Sequence, residues 1–81
     1  MDYKYRITTF KGNRVLNTEE IKTKDEAKEE VSTLQIKAKY GYCFCDKIYL
    51  DEVTNNGEIA KRECYTLFNM RWGRMIAYPN A

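Results

Sequence analysis

Over residues 3–10 the chain alternates, with Tyr3, Tyr5, Ile7 and Thr9 on one side against Lys4, Arg6 and Thr8 on the other. A period of two in β-forming residues predicts a half-buried strand. Lys11-Gly12-Asn13 reads as a turn, and residues 14–21, carried by Val15, Leu16 and Ile21, read as a second strand. A hairpin is the shortest way to pair the two.

The period then lengthens. Ala27, Val31, Leu34 and Ala38 recur at intervals of four, three and four, which puts them on one stripe of a helix. Thr23 and Glu26 form a T-x-x-E capping box at its start. Asp25 and Glu26 suit the positive end of the helix dipole, and Lys37 and Lys39 suit the other. Gly41 supplies a left-handed residue to end it. Ile36 and Tyr40 fall on the face opposite the stripe, so either the last turn deviates or an apolar spot is left exposed.

Residues 42–53 predict a long third strand, and Asn56-Gly57 a two-residue hairpin turn. That turn sets Glu52 opposite Lys61, Asp51 opposite Arg62, Tyr49 opposite Cys64 and Ile48 opposite Tyr65. Two successive acid–base matches support the register. Residues 59–69 make the fourth strand, Arg71-Trp72-Gly73-Arg74 interrupts it, and Met75–Tyr78 forms a short fifth strand ahead of Pro79. The expected fold is α+β, a single helix packed on an antiparallel sheet in the order β-β-α-β-β-β, with residues 1–81 as one small domain.

Composition narrows the class. At 81 residues, 43% hydrophobic and 32% charged, with one proline and four glycines, the chain is neither disordered nor low-complexity. The longest apolar stretches are a few residues and no secretory leader is evident, so membrane insertion is not expected and the chain is placed in the cytoplasm. Net charge is only +2, but it is uneven: both ends are basic, whereas residues 19–30 hold six acids against three lysines.

Candidate chemistry is sparse. With no histidine, the commonest general base and metal ligand are both missing, and Ser32, the only serine, lacks a base to activate it. Asp51 and Glu52 are adjacent on a strand and point to opposite faces, so they cannot flank one bond. Asp46 shares a predicted face with Tyr42, Phe44, Ile48 and Leu50, and a bulge near Asp46-Lys47 would turn it outward. Cys43, Cys45 and Cys64 fall on one predicted sheet face, but they lack the C-x2-C spacing of zinc knuckles and a fourth ligand. Reduced, metal-free thiols are expected, with no cofactor and no catalytic residue.

Aromatic residues stand above background. Tyr65, Phe68, Trp72 and Tyr78 interleave with Arg62, Arg71 and Arg74, a composition suited to protein hot spots and to stacking on single-stranded nucleic acid. Trp72, beside Gly73, is expected at a turn with its ring partly free. The stretch from Tyr65 to Met75, with Trp72-Gly73-Arg74 at its centre, resembles the central strand of the WGR domains of DNA-damage-responsive polymerases, and that resemblance implies nucleic-acid contact. In that family the helix follows the motif, whereas here it precedes it. In size and in lacking enzyme motifs, the chain is similar in type to the inhibitors, anti-CRISPR proteins among them, that phages and mobile elements direct at host defence complexes. The expected function is therefore a non-catalytic, cytoplasmic inhibitor or adaptor, monomeric or homodimeric, that docks on a larger protein or ribonucleoprotein through these seven residues. The alternative is a single-stranded nucleic-acid-binding module.

Overall fold

The computed structural model describes residues 3–79. Five strands, β1 (Tyr5–Lys11), β2 (Arg14–Ile21), β3 (Lys47–Val53), β4 (Ile59–Phe68) and β5 (Arg71–Ala77), form one antiparallel sheet in the order β2-β1-β3-β4-β5. The single helix α1 (Lys24–Lys39) lies between β2 and β3 in the chain, which is the α+β order expected.

Its ends form as the capping residues dictate. Thr23 is extended and its hydroxyl accepts from the Glu26 N–H at 3.2 Å. At the other end Gly41, at φ +83°, turns the chain so that Gly41 N–H reaches Ala38 O (3.4 Å) and Tyr42 N–H reaches Lys37 O (2.8 Å). These are the paired bonds of a Schellman cap. Ala27 and Val31 are buried, with Leu34 and Ala38 packed beside them. Ile36 and Tyr40 are left exposed on the far side of the helix.

Strand alternation divides the sheet into two faces. Ile7, Ile48 and Leu50 point toward the helix and form the core with Ala27, Val31 and Cys45. The helix packs on β1, β2 and β3. From the β4–β5 hairpin, Tyr65 and Trp72 pack against this core, and Trp72 Nε1 donates to Gln35 O of the helix at 3.1 Å.

The β3–β4 register is the expected one at all four pairs, from Glu52 opposite Lys61 to Ile48 opposite Tyr65. The turn differs. Thr54 to Gly57 closes it, with Gly57 N–H bonded to Thr54 O at 2.9 Å, and of its residues only Gly57 has positive φ (+81°). A bulge between Glu52 and Val53 absorbs the difference, so the strand bodies stay in step.

Two strand limits are corrected. β3 begins at Lys47, because the helix cap hands the chain to a loop over residues 42–46 in which Cys45 turns into the core and Tyr42 and Phe44 turn out. Trp72-Gly73 does not interrupt the sheet: the chain reverses at Asn69 and Met70, both left-handed (φ +50° and +65°), and residues 71–77 run as one strand. Trp72 is therefore mid-strand, opposite Leu67, and Gly73 faces Thr66.

Candidate functional site

The seven residues expected to form one surface are split by strand alternation. Tyr65, Trp72 and Arg74 lie on the helix side of the hairpin, whereas Arg62, Phe68 and Arg71 lie on the open face. Tyr78 follows β5 and is exposed.

The helix-side group is engaged within the fold. Trp72 is half-buried and bonded to Gln35 O. Glu63 is buried; it accepts from the Tyr65 hydroxyl at 2.9 Å and has Lys61 Nζ and Arg74 Nη1 each at 3.8 Å. Burial, helped by the Glu63 bond, pushes the Tyr65 hydroxyl up to about 12. Beside this group, Lys24 and Lys28 of the helix face Glu52, Lys61 and Glu63 across a shallow cleft. Bases there meet acids, which reads as ionic packing at the rim of the core.

Among the described residues no second layer covers the open face, and cations over rings take its place. Phe10 and Tyr49 meet edge to face at 4.7 Å, Lys47 Nζ lies 4.7 Å from the Phe10 centroid, and the Arg62 guanidinium lies 4.3 Å from that of Tyr49. Arg62 also grips Asp51 with two bonds, 2.7 and 3.1 Å long, and Asp51 is only 1% exposed. Such pairs are strengthened by the desolvation they create. Phe10 and Tyr49 thus share their ring faces with the chain's own cations.

Four large exposed apolar residues fall at one end of the molecule, where the loop over residues 42–46 meets the β4–β5 turn. Leu67 N–H donates to Asp46 O at 2.9 Å and joins the two. Tyr42 is 83% exposed, Phe44 82%, Phe68 75% and Met70 60%, with Arg71 directly opposite Phe68. Asp46 holds the loop in place: its carboxylate accepts from the Gly12 N–H at 3.0 and 3.2 Å, its own N–H reaches Phe10 O at 2.9 Å, and Lys11 Nζ stands 3.9 Å away. It does point outward, but from the loop before β3 and not from a bulge. Tyr42, Phe44 and Met70 escaped the sequence reading because the first two alternate like strand residues. The signal that would have found them is Gly41, whose cap directs the next residues off the helix.

The cysteines do not share a face. Cys43 and Cys45 are in the loop against the core, whereas Cys64 is on the open face, its Sγ 3.8 Å from Thr66 Oγ1. Burial, followed by the hydrogen bond with Cys43, pushes the Cys45 thiol up to about 12, so it stays protonated at neutral pH. Among the described residues no group of three or more Cys, Asp or Glu is placed to hold a metal ion, and no helix is long and apolar enough to cross a membrane. The chain matches no protein-family model, no curated protein and no solved structure.

Proposed function

We propose that this chain is a non-catalytic binding module that docks on a larger protein through the end carrying Tyr42, Phe44, Phe68 and Met70, with Arg71 at its border. An inhibitor or adaptor of the kind that phages and mobile elements direct at host defence complexes is the reading that suits this surface best. The observation that carries it is the exposure of four large apolar side chains, three of them at 75% or more, on a loop pinned by Asp46 and a tight turn. Large apolar groups held out on ordered backbone lose little entropy on docking, which is how interface anchors work. Backbone geometry supports the same reading. Met70 occupies a left-handed position at φ +65°, where glycine or asparagine would be less strained by roughly 1 kcal/mol. A strained methionine at this position is accounted for if its side chain serves the docking surface.

The test is affinity capture from nuclease-treated lysate of the source cell, with wild type beside a Phe44→Ser/Phe68→Ser double variant of unchanged melting temperature. A protein held by wild type and lost by the variant supports the reading. Equal retention by both overturns it, and loss of all bound material on nuclease treatment turns the assignment to single-stranded nucleic acid.

A further inference from the structure

The sheet has two edges, and they differ. β2 borders a register shift between Thr9 and Phe10 and carries Arg14, Glu19 and Glu20. β5 is paired to β4 without a shift at seven consecutive positions, from Arg71 to Ala77, and among the described residues no strand lies beyond it. A regular, uncovered edge is a template for another strand.

The phase of its hydrogen bonds follows from the turn. Asn69 and Met70 form a two-residue loop, so the closing pair, Phe68 and Arg71, exchanges backbone bonds. Arg71, Gly73, Met75 and Ala77 therefore direct their N–H and C=O groups at β4, and Trp72, Arg74 and Ile76 direct theirs away from the sheet.

The strand is self-complementary about its midpoint. An antiparallel copy paired through a two-fold axis at Arg74 overlaps the whole strand. Trp72 then meets Ile76 of the second copy on the helix side, an aromatic against a β-branched chain, where the helix leaves room. On the open face Met75, 76% exposed, meets Gly73 of the second copy, which has no side chain to oppose it. Arg74 meets its own equivalent, the one unfavourable pair. Each Arg74 already has the buried Glu63 carboxylate at 3.8 Å, so the row of four charges is neutral. The axis is perpendicular to the sheet and keeps both helices on one side.

We infer that β5 is a self-association edge, through which two copies pair antiparallel about Arg74 into a continuous ten-stranded sheet. Three outward residues per copy supply six backbone hydrogen bonds in total. A contact of one strand and a few side chains is small, so the dimer is weak, with a dissociation constant of roughly micromolar or above. The edge shares only Arg71 with the apolar end assigned to a larger partner, so one can fail while the other stands.

Residue-resolved amide exchange, compared at about 50 µM and about 1 mM wild-type protein, reads the pairing directly. The amides of Trp72, Arg74 and Ile76 should exchange roughly three- to fourfold more slowly at the higher concentration, as the monomer fraction falls, while those of β2 are unchanged. Sedimentation over the same range should show dimer. Ile76→Pro removes one outward N–H at a position where an edge strand tolerates proline, and should leave a folded monomer. Exchange at these three amides that ignores concentration, or a monomer throughout, overturns the inference, as does protection appearing at β2 instead. The exchange measurement stands even if the proline variant does not fold.

Discussion

The sheet is continuous, yet its two halves are held by different physics. Under the helix, Ile7, Ile48 and Leu50 are buried against Ala27 and Val31, and apolar burial carries the stability. On the same side of the hairpin the corresponding positions hold Lys61, Glu63, Tyr65, Arg74 and Ile76, joined mainly by ion pairs and a hydroxyl bond. The reason is dimensional. A helix about 10 Å across covers two or three strands spaced about 4.8 Å apart, and this sheet has five. One helix must leave a hairpin bare, and a bare hairpin needs side chains that tolerate water. The uncovered hairpin carries the free regular edge and supplies Phe68 and Met70 to the apolar end, beside Tyr42 and Phe44 of the loop before β3.

Changes that separate the halves should rank by how much burial they disturb. Ile48→Ala, at a fully buried position, should cost about 3–4 kcal/mol in urea unfolding, whereas Phe44→Ser should stay within about 0.5 kcal/mol. Equal losses would erase the distinction between core and free residues. Arg62→Ala comes next, at about 2–3 kcal/mol, because it leaves the buried Asp51 carboxylate without its two charged bonds. Asp51→Asn in the same background should recover part of that loss; no recovery would show that Arg62 acts through its packing on Tyr49.

Trp72→Phe should cost about 1–2 kcal/mol by removing the bond to Gln35 O and some packing. Its more telling effect is local: β5 amides should exchange faster while those of β3 keep their protection, since the bridge from hairpin to helix is what has gone. Uniform acceleration across the sheet would make Trp72 part of the common core. The smallest change has the opposite sign. Met70→Gly should stabilise the fold by up to about 1 kcal/mol by relieving the left-handed backbone, yet weaken capture of the partner. If melting temperature falls, or binding is untouched, Met70 is not kept for its side chain.

The helix and the central hairpin could be read directly from the sequence. The helix is written in contacts three and four residues apart, from Thr23 with Glu26 to the Gly41 cap, and the β3–β4 register in the acid–base match of Asp51 with Arg62. Those interactions are local or directly cross-strand, so residue type is enough to place them. The site was another matter. Asn69-Met70 carries no strong turn signal, and its left-handed backbone exists because β4 and β5 pair on either side of it. Once the turn moved from residues 71–74 to residues 69–70, Trp72 became a mid-strand bridge, and alternation sent Arg62, Phe68 and Arg71 to one face and Tyr65, Trp72 and Arg74 to the other. Asp46 finds its partner at Gly12, 34 residues away, and through it the loop with Tyr42 and Phe44 is fixed in space. Sequence neighbours share a surface only when strand period and turn position allow it. Period is a property of the residues themselves, whereas turn position and long-range anchoring are settled by how the whole sheet closes.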